Sequence, residues 1–444
     1  MRRLFQYSVL AWLLFTGTLA GAQDNKIAFD KYTLENNGLT VILHQDKSTP
    51  IVAIAVMYHV GSKNEDPSRT GFAHFFEHLL FEGSENIERG EFSQYVQDAG
   101  GTLNAYTTTD NTCYFEVLPA NQLELGLWLE SERMLHAKVD QKGVETQREV
   151  VKEEMRMRYD NRPYGSFRKE IQKRMYKKYP YMWTPIGSMD HLNAASEEDY
   201  VKFYKQFYVP NNAVLVIAGD FEAKQAKEWV SKYFKDIPKQ ENPIYRPQVE
   251  EPPLGGQVRD TIFDQIQLPG VFKAYRTPAI GEKDFYAVKM LAQLLSEGES
   301  SRLKKSLVDE QQLAIQTGNF VMDQEGPSMA VAYAICNAGV DAQTVEKAMN
   351  AEIEKVQKEG VTEEEFQKLR NQVESELVNQ NATVFGVADN LATYEVLYGD
   401  ANLINEEISH YLAVTREDIQ NAAKKYFVDE NSVVLYYLPK PNQP

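Results

Sequence analysis

The feature that most restricts how this chain can fold is an internal repeat. The stretch Glu198-Asp199-Tyr200 through Phe207-Tyr208-Val209-Pro210-Asn211-Asn212-Ala213-Val214-Leu215 parallels Glu417-Asp418-Ile419 through Tyr426-Phe427-Val428-Asp429-Glu430-Asn431-Ser432-Val433-Val434, an offset of 219 from Glu198 to Glu417. Each copy reads as an amphipathic helix, a turn and a β-branched strand. A chain that uses such a unit twice is expected to form two homologous domains of about 200 residues. Between Asp236 and Gly256, Pro238, Pro243, Pro247, Pro252 and Pro253 stand among charged and polar residues, the composition of an extended tether. The expected layout is a first domain over 28–236, a linker over 237–257 and a second domain over 258–444.

Within the first domain, the β-rich runs Thr40–Leu43 and Ile51–Val56 read as strands. Gly100–Thr107 then leads through Asp110-Asn111 into Thr112–Val117, two strands joined by a turn, and a helical tract runs from about Gly143 to Tyr159. Strands and helices mix without strict βαβ alternation, so the fold class is α+β.

Size and charge narrow the possibilities. At 444 residues the chain exceeds one ordinary core, and 43% hydrophobic residues can fill two. Residues 1–22 have the form of a secretory signal: Arg2 and Arg3, an apolar run from Val9 to Phe15, then Ala20-Gly21-Ala22 before Gln23. That run is too short for an anchor, no later apolar run reaches about 18 residues, and no cysteine follows the cleavage point to carry a lipid. The expectation is a protein without a membrane anchor, periplasmic or secreted after cleavage near Ala22. Cys113 and Cys336 are the only cysteines, which excludes a disulfide framework and leaves one inter-domain bridge as an alternative to two buried, unpaired thiols, the preferred reading. With 47 Lys and Arg against 64 Asp and Glu, the net charge of −17 repels phosphate backbones, which argues against nucleic acid and favours cationic or neutral substrates.

The chemistry is concentrated in His74-Phe75-Phe76-Glu77-His78, inside a run from Gly71 to Phe81 with no other charge. Histidines four apart differ by about 40° around a helix and about 6 Å along it, so both imidazoles can meet one ion. Glu77 stands where it can reach a metal-bound water without being a ligand. A lone histidine would be read as a packing residue, and His44, His59, His136, His191 and His410 are so read. A catalytic zinc normally has a third protein ligand. Glu145, Glu149, Glu153 and Glu154 all lie in the tract from Gly143 to Tyr159, and periodicity alone selects none of them.

The motif, followed 76 residues after His78 by Glu154 within Glu149-Val150-Val151-Lys152-Glu153-Glu154-Met155, resembles the inverzincin peptidases of the pitrilysin family, in their short two-domain type. Gly100-Gly101-Thr102-Leu103-Asn104-Ala105 and the helix-turn-strand repeat extend the resemblance over nearly the whole chain beyond residue 22. It implies one Zn2+ per chain held by His74, His78 and Glu154, with Glu77 as general base. It also implies a substrate strand added along the edge that carries Asn104 and Ala105.

Two departures qualify that implication. Where relatives have a second glutamate seven residues before the ligand, this chain has Gln147, which can hydrogen-bond near the site but lends no charge. Where self-sufficient relatives present an arginine and, seven residues later, a tyrosine, Val308 and Ile315 stand, neither a hydrogen-bond donor. The expected function is an exported zinc metalloendopeptidase acting on peptides or unfolded segments, as the zinc-bearing subunit of a heterodimer whose related partner lacks the zinc motif and supplies the Arg/Tyr pair. A homodimer is the other arrangement. The alternative function is a non-catalytic structural or peptide-binding subunit of a processing complex.

Overall fold

The computed structural model describes residues 26–441; the expected signal over 1–22 lies outside them. The first half contains β1 (Asp30–Thr33), β2 (Thr40–Gln45), β3 (Ile51–Tyr58), α1 (Phe72–Leu79), α2 (Glu91–Asp98), β4 (Thr102–Thr107), β5 (Thr112–Pro119), α3 (Leu123–Leu135), α4 (Gln141–Met155), α5 (Phe167–Met175), α6 (Met189–Ala194), α7 (Glu197–Phe207), β6 (Ala213–Gly219) and α8 (Ala223–Phe234). The second contains β7 (Val258–Asp264), β8 (Gly270–Thr277), α9 (Phe285–Ser296), β9 (Ala314–Met322), β10 (Ser328–Cys336), α10 (Ala342–Glu359), α11 (Glu363–Gln380), α12 (Val384–Tyr398), α13 (Leu403–Ala413), α14 (Arg416–Tyr426) and β11 (Ser432–Pro439). Two domains of mixed strand and helix stand in tandem.

The sheets are built alike, in the orders β1-β2-β6-β3-β5-β4 and β7-β11-β8-β10-β9. In each, the strand of the repeated unit inserts between a parallel partner, β2 or β7, and an antiparallel one, β3 or β8. The offset of 219 carries Ile51 onto Gly270 and Glu197 onto Arg416, so β3 maps onto β8 and α7 onto α14 along their full lengths. Local chemistry repeats too. Ser196 with Asp199, and Thr415 with Asp418, form reciprocal caps on the two helices. Asn212 and Asn431 then close the turns by donating to Phe207 O at 2.8 Å and Tyr426 O at 3.0 Å.

The central strands are apolar at nearly every position, which requires cover on both faces of the sheet. One face of each sheet is covered by its own half and the other by a helix lent from the opposite half. Val387, Ala388, Leu391 and Ala392 of α12 pack with Ala53, Ala55, Val216 and Ala218 of β3 and β6. Ile171 and Met175 of α5 pack with Phe272, Ala274, Val433 and Leu435 of β8 and β11. Phe167, the first residue of α5, maps by the offset onto Gly386 in α12, so the exchange is reciprocal.

The proline-rich segment 237–257 carries no helix or strand, yet it is not a loose tether. The Glu251 carboxylate accepts from the backbone N–H groups of Lys177, Lys178 and Tyr179 at 2.9, 2.9 and 2.7 Å, and Leu254 is buried. Three further details differ from the sequence reading. A short β1 precedes the first expected strand. Helix α4 starts at Gln141, because Asp140 accepts from Gly143 N at 2.7 Å as its cap. The tract expected to continue to Tyr159 changes at Arg156 into a π-helical turn over Arg156–Asp160. Cys113 and Cys336 are both free and buried. Among the described residues, no helix is long and apolar enough to cross a membrane.

Candidate metal centre

Helix α1 starts at Gly71, whose φ of 100° is left-handed, and a Cβ there would lie 2.7 Å from Ile186 O, so the position requires glycine. Its aromatic residues fix its rotation. Phe72 and Phe75 stack on Tyr200 of α7 with centroids 4.6 Å apart, and Phe76 stacks on Phe203 at 5.6 Å. This packing turns His74 and His78 toward α4.

Buried charges grip both ends of α1. At its start the Glu65 carboxylate accepts from Gly71 N and Ala73 N at 2.9 Å each, and from Trp183 Nε1 at 3.1 Å. Burial pushes the Glu65 carboxyl up to about 8, while those donors pull the other way. Beyond its end, Arg133 Nη1 donates to Leu80 O at 2.9 Å, and the same guanidinium meets Glu130 at 3.0 Å and Glu116 at 3.3 Å. Its carbon lies 4.2 to 4.4 Å from the ring centroids of Phe81, Phe92 and Tyr114. Burial opposes the charge on Arg133, but Glu130 and Glu116 outweigh it and raise its pKa. Glu65 satisfies free N–H groups at the helix start, and the Arg133 cation at its finish complements the dipole.

Of the four acids on α4, three face outward with local partners. Glu145 accepts from Gln141, Glu149 pairs with Lys152 at 2.8 Å and Glu153 with Arg156 at 3.0 Å. Glu154 alone turns to the histidines: its Oε2 lies 3.4 Å from His74 Nε2 and 3.1 Å from His78 Nε2. Ligand bonds of about 2.0–2.1 Å in a tetrahedral zinc site put neighbouring ligand atoms about 3.3 Å apart. The distances from Glu154 Oε2 to the two imidazole nitrogens both lie near that value. Burial raises the Glu154 carboxyl, but hydrogen bonds from His74 and His78, with the charge of Arg158, hold it well below the ordinary carboxylate range.

Glu77 is the second carboxylate at hand. One of its oxygens and one nitrogen from each imidazole lie within 4.8 Å of one another, the one such group among the described residues. Glu154 touches both imidazoles at 3.1 and 3.4 Å, whereas Glu77 is placed only by the wider 4.8 Å spacing. Among the described residues, neither hydrogen bond nor ion pair occupies the half-buried Glu77 carboxylate. His74 Nδ1 is buried without a partner among the described residues, so Glu154 at Nε2 and the surrounding packing orient that ring.

Asn104 and Ala105 lie on β4, which ends the first sheet and, among the described residues, pairs only with β5. Asn104 Oδ1 accepts from Ala105 N at 2.9 Å. Gln147 is engaged away from the imidazoles, donating to Glu82, which Arg89 also holds at 2.7 Å. Val308 sits half-buried in a π-helical turn over Lys304–Glu310, and Ile315 is exposed on β9. The remaining histidines have ordinary partners: His59 meets Glu325 at 2.9 Å, His136 meets Glu85 at 3.1 Å, and His410 stacks on Tyr286. Glu65, Arg133 and Arg158 escaped the sequence reading. In sequence they look like surface charges, and only the fold brings Glu65 and Arg133 to the ends of α1.

A half that carries a metal-type cluster, followed by a homologous half that carries none among the described residues, is the plan of a known class of peptidase. Residues 40–184 match the family described as "Insulinase (Peptidase family M16)", and residues 194–373 match "Peptidase M16 inactive domain". The chain is 31% identical over 429 residues to the "Zinc protease PqqE" of Helicobacter pylori, covering 96% of each chain. It is 22% identical over 417 residues to the "Uncharacterized zinc protease YmxG" of Bacillus subtilis, covering 93% of this chain and 99% of the relative. A crystal structure of a protease from Helicobacter pylori superposes with a TM-score of 0.89 at 31% identity, covering 93% of this chain and 100% of that one. The chain belongs to peptidase family M16, the pitrilysin family.

Proposed function

We propose that this chain is a zinc-dependent endopeptidase of peptides or unfolded polypeptide segments, with His74, His78 and Glu154 holding one zinc and Glu77 acting as general base. The observation that carries the reading is the convergence of both Nε2 atoms on Glu154 Oε2, beside a Glu77 carboxylate with no partner of its own. Zinc, when bound, supplies Lewis acidity toward water and toward a peptide carbonyl. Glu77 takes the proton from the attacking water and returns it to the leaving nitrogen. The open edge of β4 at Asn104 and Ala105 pairs with the substrate backbone, giving affinity with little demand on sequence. Gln147, tied to Glu82, steadies α4 beside the end of α1 rather than tuning a ligand.

The donors that would stabilise a tetrahedral oxyanion are supplied by a related partner chain, because Val308 and Ile315 have none to give. The working enzyme is therefore a heterodimer, or a homodimer if another residue replaces the pair, exported to the periplasm or secreted through the segment 1–22. The test uses Glu77→Gln in the complex as purified. Zinc content should stay at one per chain while turnover falls by roughly 10²–10⁴-fold. Unchanged turnover would transfer the site to the second reading, a non-catalytic peptide-binding subunit, which the bare Val308 and Ile315 positions favour. Full activity from the isolated monomer would end the two-chain proposal.

A further inference from the structure

The segment that follows Glu154 has a charge opposite to that of the molecule. From Arg156 to Lys178 there are nine arginines and lysines against Asp160 and Glu170, a net of +7 within a chain of −17. The excess is presented on a built surface. The carbonyls of Arg158, Tyr159 and Arg162 crowd Gly165, where an added Cβ would lie 2.5 to 2.9 Å from all three. That coil brings Arg158 and Arg162 together. Tyr164 anchors it to the second sheet, its N–H donating to Asp264 at 3.0 Å and its hydroxyl to Leu268 O at 2.8 Å. Helix α5 continues the strip: Ile171, Gln172 and Met175 face inward, which turns Lys169 and Lys173, one helical turn apart, to solvent.

These cations are largely uncompensated. Arg162, Lys169 and Lys173 are exposed, and no carboxylate pairs with them in the described structure. The strip starts at the metal centre itself, because Arg158, 68% exposed, holds Glu154 Oε1 at 2.9 Å. Four exposed cations, the first touching Glu154 and the others on the coil and the outer face of α5, form a complement to carboxylates spaced along an extended chain.

We infer that the strip from Arg158 through Arg162 to Lys169 and Lys173 binds acidic side chains of the peptide that occupies the metal centre, so that the enzyme selects acidic segments although its own surface is acidic. The inference rests on the peptidase reading for the identity of the occupant, and its test reads binding rather than cleavage. Full-length zinc-loaded Glu77→Gln protein, with its partner where one co-purifies, is titrated with three fluorescein-labelled peptides. They are identical except for three consecutive Asp, Ser or Lys residues on one side of the cleavage position. The Asp peptide should bind roughly tenfold more tightly than the Ser peptide at low salt, as three exposed ion pairs allow, and the preference should shrink as salt rises.

In a variant with Arg162→Glu, Lys169→Glu and Lys173→Glu, the ratio of Asp to Ser affinity should fall to one or below. A milder Lys169→Gln, Lys173→Gln variant should give an intermediate ratio and guards against a folding defect. Equal affinities, tighter binding of the Lys peptide, or a preference that survives charge reversal would overturn the inference. So would capture by anionic phospholipid vesicles without any preference among the peptides, which would make the strip a membrane contact. Failure of the peptidase reading would look different: no cleavage of any peptide by the wild-type complex, whatever the binding ratios.

Discussion

Helix α1 and its counterpart α9 each follow a central strand, β3 or β8, whose bounds coincide at the repeat offset, and each packs against a capped helix of the repeated unit. Their free faces differ. Helix α1 leaves His74, Glu77 and His78 beside α4, whereas α9 buries eight of its twelve residues and offers α11 the amide of Gln293, which donates to Glu376 at 2.9 Å. The edge strands differ in the same sense. β4 carries Asn104 next to α1, while β9 exposes Ile315. The repeat thus preserves what packs and leaves free what reacts. One half became a reactive surface and the other a support that also lends α12 to the reactive half's sheet.

The largest expected effect comes from the clamp on α1, which the second half lacks. Arg133→Met removes the cation between Glu116 and Glu130 and leaves two carboxylates buried without compensation. The expected loss is about 3–5 kcal/mol, read by urea denaturation. The repeat offset carries Arg133 onto Glu352, whose partner Lys355 is 53% exposed. Glu352→Ala should therefore cost less than about 1 kcal/mol. Similar costs for the two variants would remove the distinction between the halves.

The lent helix gives the next effect. Leu391→Ala, far along the chain from the first sheet, should cost about 2–5 kcal/mol for the cavity it leaves. Hydrogen exchange should speed up in β3 and β6 of the first half. If protection were lost only in α11 to α14, the halves would be independent units and the exchange of helices would carry no stability.

Much of this was legible in the sequence. The repeat, both sheet-forming runs, and the helix carrying His74 and His78 follow from apolar periodicity and turn chemistry, which are local. The reciprocal lending of α5 and α12 was not legible, because an apolar strand states only that both faces are covered and not by which segment. The continuous run in β3 was the available signal. At the metal centre, His74, Glu77 and His78 announce themselves by spacing. Periodicity left four acids of α4 equivalent, and Glu154 stood out only through the family resemblance until geometry showed it alone turned inward. Glu65 and Arg133 could not be found at all, since a buried charge and a solvated one are spelled alike and differ only in partners distant along the chain.

A smaller effect would sharpen the contrast between the reactive and the supporting half. Introducing Arg and Tyr at the bare positions of the π turn and β9, as Val308→Arg with Ile315→Tyr, should raise peptide cleavage by roughly 10²-fold where copies of the chain can face one another, since one oxyanion donor contributes about that much. The measurement is kcat on a short peptide, with Glu77→Gln in the same background as the control. No gain, in a variant that keeps its zinc, would show that these positions do not face a reacting carbonyl.

The smallest effect concerns a likeness rather than a difference. The helix bearing Glu154 and its counterpart α11 both begin at an acid held by an arginine: Asp140 by Arg89 at 3.0 Å, and Glu365 by Arg302 at 2.8 Å. Burial raises the Glu365 carboxyl, but the hydrogen bonds from Arg302 and Thr362 outweigh it and bring it down from 4.5 to about 2. Asp140 is lowered chiefly by the Gly143 N–H, with Arg89 contributing. A carboxyl depressed in the folded state contributes stability that is complete above its unfolded value and is lost as pH falls through its folded one. For Glu365 the window runs from about 4.5 down to about 2, and because the side chain is 29% exposed, screening cuts the contribution to about 1 kcal/mol. Arg302→Ala should therefore cost about 1 kcal/mol at neutral pH and flatten the acid limb of stability between those values. An unchanged acid limb would mean that the arginine orders the loop after α9 without holding the cap.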